Sequence, residues 1–189
     1  MANNSMKPCK MESKHESEHV QSFEPLMDAH CRVLVLGTVP SPKSREVHMN
    51  YGNPRNRFWL VMARLFNEPL PSSNEQKAAL VLRHHIALWD VLESCDIVGA
   101  SDASIVHPVP NNLSRVLDVA PIHTIFCTGA TAARLYKTYC EPVCGLTAVA
   151  LPSTSPANAR WSLDDLVEAY TVIKLAVQSH PSQAGEARG

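Results

Sequence analysis

Four short apolar runs set what this chain can fold into. They are Val33-Leu34-Val35-Leu36, Ile86-Ala87-Leu88-Trp89, Thr124-Ile125-Phe126-Cys127 and Leu146-Thr147-Ala148-Val149-Ala150-Leu151, each bounded by turn-forming residues. Runs this short and this uniformly apolar read as strands buried on both faces, which is the condition of a parallel sheet covered by helices. Segments with helical periodicity lie between and after them, at 56–66, 75–83, 113–119, 130–139 and 163–178. The last opens on Ser162 with Asp165 three residues on, a capping box with Asp in place of Glu. The alternation predicts an α/β fold, a three-layer α/β/α sandwich with a central four-stranded parallel sheet. Ligands bind such sheets beyond the carboxyl ends of the strands, so Gly37–Ser41, Asp90, Thr128-Gly129 and Pro152–Ser155 are expected at one rim.

A chain of 189 residues that is 45% hydrophobic and 19% charged suffices for one domain, placed at 29–179. Residues 1–28 are polar and mixed in charge and read as a disordered tail, and 180–189 reads as a frayed terminus. No apolar run approaches the ~18 residues that cross a bilayer, and Met1–Phe23 lacks the apolar stretch of a signal peptide. The expected compartment is cytoplasmic or nuclear, with no membrane partner and no secretion, and the cysteines are expected as reduced thiols. A net charge of −1 excludes a protein that coats nucleic acid by bulk electrostatics. Between residues 32 and 64, however, Arg32, Lys43, Arg45, Arg55, Arg57 and Arg64 stand against Glu46 alone, a local balance of +5.

Several chemistries drop out by motif. Gly37 is followed by neither Gly-x-x-Gly nor Gly-Lys-Ser/Thr, which removes the usual nucleotide cradles, and no Gly-x-Ser-x-Gly elbow is present. Cys140 and Cys144, or His15 and His19, supply two ligands each and not a site, so neither a metal nor a cofactor is expected. Cys127, His84, His85 and His107 read as packing or turn residues.

What remains is a dense segment, Tyr51-Gly52-Asn53-Pro54-Arg55-Asn56-Arg57-Phe58-Trp59, preceded by Gly37-Thr38-Val39-Pro40-Ser41-Pro42-Lys43-Ser44-Arg45. Asn53 suits a helix cap and Pro54 a first helical position, which would set Asn56 in the first turn near free backbone N–H groups. By itself this reads first as a capped helix that places Phe58 and Trp59 in the core.

Four blocks taken in order carry a resemblance: Gly37–Ser44, Tyr51–Trp59, Leu88-Trp-Asp-Val-Leu-Glu-Ser-Cys95 and Leu151-Pro-Ser-Thr-Ser-Pro-Ala-Asn158. Over residues 32–174 the chain resembles the uracil-DNA glycosylase superfamily, and within it the hypoxanthine-DNA (deoxyinosine) glycosylases. The resemblance implies a monofunctional enzyme of base-excision repair, which flips a deaminated base out of DNA and hydrolyses its glycosidic bond without a lyase step. Hypoxanthine is the base implied first, with uracil and xanthine as side activities. The alternatives are a uracil-preferring glycosylase and a catalytically silent module that binds damaged DNA.

In these terms Asn56 is the implied catalytic residue, an amide that orients water. Gly37, Thr38, Tyr51, Phe58 and Asp90 are expected in the base pocket, where stacking and edge hydrogen bonds read a flipped base. Asp90 would accept from the ring N–H that hypoxanthine and uracil share and adenine lacks. Lys43, Ser44, Arg45, Arg55 and Arg57 are expected to clamp the DNA backbone, with Ser153 and Ser155 beside them. DNA is the expected partner, and the enzyme is expected to act as a monomer.

Overall fold

The computed structural model describes residues 17–99 and 101–179. Its centre is a parallel sheet of β2 (Val33–Gly37), β3 (Ile86–Asp90), β6 (Thr124–Thr128) and β7 (Ala148–Leu151), in the order β3-β2-β6-β7. Side chains alternate across the pleat and split the core in two. Leu34, Leu36, Trp89 and Cys127 pack on one face with Leu135 and Tyr136 of α5 (Ala130–Tyr139). Val33, Val35, Leu88 and Phe126 pack on the other with α2 (Phe58–Phe66) and α7 (Leu163–Gln178). These are the three layers that the four runs predict.

The chain leaves β2 towards β3 on one side and reaches β6 on the other, so the strand order reverses between β2 and β6. In open α/β sheets ligands bind beyond the strand ends where the order reverses. Register places Gly37 opposite Asp90 on one flank and Leu36 opposite Cys127 on the other.

Helices α5 and α7 span the residues their periodicity indicates, and Ser162 and Asp165 form the reciprocal capping box. Helix α3 (Asn74–Arg83) starts at a Ser73 cap, and α4 (Ser114–Leu117) is a single turn. A short α6 (Glu141–Cys144) precedes β7. An unforeseen helix α1 (Pro42–Val47) is capped by Ser41, whose hydroxyl accepts from the Ser44 N–H.

The start of α2 differs from the expectation. Asn53 and Pro54 form a turn, with Asn53 Oδ1 accepting from the Arg55 N–H at 3.0 Å and the Asn53 carbonyl accepting from the Asn56 N–H at 2.8 Å. The Arg57 N–H is drawn off to the Thr154 carbonyl at 3.1 Å, so the helix opens at Phe58. A tertiary hydrogen bond thus overrides the local Asn-Pro start signal.

A second sheet was not foreseen. Strands β1 (Glu18–Gln21), β4 (Leu92–Ile97) and β5 (Val106–Pro110) pair antiparallel in the order β1-β4-β5. The expected tail is therefore wrong over residues 17–28: Val20 is 1% exposed opposite Cys95, and Leu26 bridges to Leu88 of β3. The strand exists because β4 offers an open edge, not because its own sequence is apolar. Residues 1–16 and 180–189, with the remaining tail and terminus expectations, lie outside the described residues. Among the described residues no helix is long and apolar enough to cross a membrane.

Candidate active site

The rim at the strand ends gathers a bare glycine, a buried carboxyl and a tyrosine. A Cβ on Gly37 would lie 2.6 Å from Asp90 Oδ1 and 3.6 Å from the Tyr51 hydroxyl oxygen, so both groups meet over a residue that has no side chain. Asp90 is only 4% exposed, and among the described residues no cation pairs with it; its Oδ2 accepts from the Ser22 hydroxyl at 3.2 Å. Burial pushes its carboxyl up to about 7, against the smaller opposite pull of the Ser22 hydrogen bond. A carboxyl kept without a counter-ion in so dry a place costs stability wherever it ionises.

Tyr51 adopts φ 55°, a left-handed conformation that bulky residues avoid. Its ring stacks on Phe58 at 3.8 Å between centroids and 13° between planes. Its hydroxyl lies 3.0 Å from Thr128 Oγ1, whose one proton goes to the Leu36 carbonyl at 3.2 Å. Tyr51 is consequently the donor, and its ring is pinned at the reversal point between β2 and β6. Burial first, and the nearby Asp90 in lesser part, hold the phenol well above its ordinary pKa. Phe58 is fully buried, which corrects its expected role: it backs Tyr51 from beneath and has no free face for a base. Thr38 is also committed, its hydroxyl donating to Asp102 Oδ2 at 3.2 Å.

Asn56 opens α2 from outside. Its Oδ1 accepts from the Phe58 N–H at 2.9 Å, which fixes the orientation of the amide and leaves a second Oδ1 lone pair and Nδ2 without a protein partner among the described residues. The amide is half-buried, on the same loop that carries Tyr51.

Of the five expected clamp residues, three are structural. Ser44 is buried and accepts from the Gly52 N–H at 3.0 Å. Arg45 pairs with Glu18 at 2.7 Å. Arg57 donates to the backbone carbonyls of Trp161, of Asn158 at 2.8 Å and of Ser155 at 3.5 Å, so it ties the 152–161 loop to the start of α2. A guanidinium spent on carbonyls is not available to phosphate. Lys43 is exposed beside Glu46 at 2.7 Å, whereas Arg55 is exposed without an acidic partner among the described residues. Arg160, which the sequence reading passed over, is in the same condition.

The loop Pro152–Asn158 is built from its own hydroxyls. Ser153 Oγ accepts from the Ser155 N–H at 3.2 Å, and Ser155 Oγ accepts from the Ala157 N–H at 3.3 Å. Each serine keeps its own proton to donate outward. Gly129, at φ 97°, lets the end of β6 pass within contact of Ser153. Among the described residues no group of three or more His, Cys, Asp and Glu side chains is arranged to hold a metal ion. Burial raises the Cys127 thiol to about 12, so it packs and does not attack.

A profile of the uracil DNA glycosylase superfamily matches residues 24–175, which takes in Gly37, Tyr51, Asn56, Asp90 and the Pro152–Asn158 loop but not Ser22. The chain belongs to the uracil DNA glycosylase superfamily. Within the superfamily it is similar to a protein of Methanosarcina acetivorans named hypoxanthine DNA glycosylase, 30% identical over 143 residues, or 75% of this chain and 90% of that one. A second protein of that name, from Methanosarcina barkeri, is 35% identical over 102 residues, covering 53% of this chain and 65% of that one. The solution NMR structure of a candidate uracil DNA glycosylase from Methanosarcina acetivorans superposes with a TM-score of 0.73 at 27% identity, over 84% of this chain and 99% of the other. The superfamily indicated by the four sequence blocks is therefore the one found. Ser22 was not foreseen as a site residue, and nothing local marks it; Thr128, just past the predicted strand Thr124–Cys127, was expected at the rim but given no role.

Proposed function

We propose that this chain excises hypoxanthine from deoxyinosine in DNA by hydrolysis, releasing the free base and leaving an abasic site. The observation that carries the reading is the meeting of Asp90 Oδ1 and Tyr51 over Gly37, on the loop side that bears Asn56. The names of the two Methanosarcina relatives support hypoxanthine as the base.

A base stacked in a duplex is out of reach and must be extruded into the pocket. Tyr51 offers it the ring face that Phe58 does not cover. Ionised, Asp90 only accepts, so it takes the ring N–H of hypoxanthine and repels the lone pair that adenine presents at the same edge. The bond from base to sugar C1′ then breaks, its electron pair leaving with the base, and positive charge develops on the sugar. Asn56 is too weak a base to take a proton outright. Its free Oδ1 lone pair accepts from a water and aims that water's oxygen at C1′, while the water's proton passes to the departing base or to solvent. DNA phosphates beside the sugar supply electrostatic stabilisation.

On this reading Arg55, Arg160, Lys43 and the outward protons of Ser153 and Ser155 grip the backbone, and the enzyme works as a monomer without a metal. The test is excision from labelled duplexes carrying one deoxyinosine, deoxyuridine or deoxyxanthosine, in chelator, with alkali to cut abasic sites. Cleavage at deoxyinosine that falls at least ~100-fold in Asn56→Ala is expected. Preference for deoxyuridine would move the substrate, and unchanged activity of the variant would remove Asn56 from the chemistry.

A further inference from the structure

The segment that looked like a tail runs against Asp90. The Ser22 N–H donates to the Glu93 carbonyl at 2.8 Å, and Trp89 Nε1 donates to the Phe23 carbonyl at 2.7 Å, so the backbone about Ser22 is held from two strands. The Ser22 hydroxyl lies 3.2 Å from Asp90 Oδ2 and 3.1 Å from the Phe23 carbonyl. It has one proton for two acceptors. With Asp90 ionised, the carboxylate is the stronger acceptor and takes it. With Asp90 protonated, the carboxyl can donate to Ser22 Oγ and the serine proton turns to Phe23. The two oxygens of Asp90 are thereby separated in role: Oδ2 is held by Ser22, and Oδ1 stands over Gly37 beside Tyr51.

We propose that Ser22 is a positioning residue of the base pocket: by holding Asp90 Oδ2 it presents an ionised Oδ1 as the acceptor that reads the ring N–H of the excised base. The inference rests on the pocket role proposed for Asp90. Few other groups compete for control of that carboxyl. From β2 the neighbour is Gly37, which brings no side chain. The loop before α2 brings Tyr51, and β6 behind it brings Cys127, both held neutral by burial. Asn111, after β5, is neutral and bonds the Asp90 carbonyl at 2.9 Å. Asp102 faces Thr38, one residue along from Gly37. The charged residues flanking Ser22 are already paired, Glu18 with Arg45 and Glu24 with Arg115.

The experiment is the pH profile of kcat/KM for deoxyinosine excision, from pH 5.5 to 9, in the full chain and in Ser22→Ala, Ser22→Thr and Asp90→Asn. Loss of one hydrogen bond to a carboxylate should move the ascending limb up by ~1 pH unit in Ser22→Ala, a loss of about tenfold at pH 6 that vanishes by pH 9. Ser22→Thr, which keeps the hydroxyl, should restore the original limb. A Ser22→Ala profile that overlays the parent, or one lowered equally at every pH, overturns the inference while leaving the pocket intact. Asp90→Asn with the parent's rate and profile would overturn the Asp90 reading itself, a separate outcome.

Discussion

Replacing Asp90 by Asn should make this protein more stable at pH 8 and leave its stability nearly unchanged near pH 4. The carboxyl titrates at about 7 in the fold against 3.8 in an unstructured peptide, because burial disfavours its charge. Between those values the folded state holds a proton that the unfolded chain has released, so stability falls as pH rises. The contribution is complete below pH ~4, declines through the window and is fully lost above pH ~7. The two values differ enough to put the loss on the order of 4 kcal/mol, at 1.36 kcal/mol per pH unit. Asn cannot ionise and keeps an oxygen for the Ser22 hydroxyl, so it escapes that loss. Urea unfolding followed by tryptophan fluorescence, at pH 5 and pH 8, gives the difference between parent and variant at each pH. A gain that grows by ~2 kcal/mol or more from pH 5 to pH 8 is expected, since relaxation and water entry reduce the full figure. A difference equal at both pH values, or a variant less stable at pH 8, would refute the argument. The same variant should excise deoxyinosine more slowly, a trade of activity for stability.

The two arginines that flank Asn56 should separate cleanly. Arg55→Ala should weaken binding to every duplex and make the slope of log affinity against log salt shallower by about one, while Arg57→Ala should leave that slope alone and lower kcat by ~10-fold or more as the 152–161 loop loosens. A shallower slope in Arg57→Ala would return that residue to the phosphate path. Gly37→Ala places a methyl 2.6 Å from Asp90 Oδ1, so KM for deoxyinosine duplexes should rise with a stability cost of ~1–3 kcal/mol; a parent-like KM would show that the base does not enter over Gly37.

The site combines parts of opposite character. Tyr51 and Asp90 are fixed from behind, by Phe58, Thr128 and Ser22, whereas Asn56 and Arg55 sit on a turn tied down at Asn53 and at Arg57. Rigid support behind a polar reading group preserves its geometry when water is displaced by a base. Arg57 joins the turn to the Pro152–Asn158 loop, so the Asn56 amide and the loop beside it are set by one guanidinium.

The parallel sheet was legible in the sequence because its strands β2 and β3 are buried on both faces and therefore apolar along Val33–Leu36 and Ile86–Trp89, while the edge strand β7, half exposed, was legible from its apolar letters alone. Helices α5 and α7 were legible because one face of each is core and its spacing shows it, and Asp90 because it ends such a strand. Tertiary structure alone decided the rest. Strand β1 has one buried residue in four, and only the free edge of β4 makes it a strand. The helix expected from Asn53-Pro54 yields to the Arg57 N–H bond to Thr154, almost a hundred positions away. The same distance hides what an arginine is for: Arg55 and Arg57 are indistinguishable as letters, yet one faces solvent and the other is spent on three carbonyls. Periodicity records which side of an element is dry, and it says nothing about which distant backbone a polar side chain will meet.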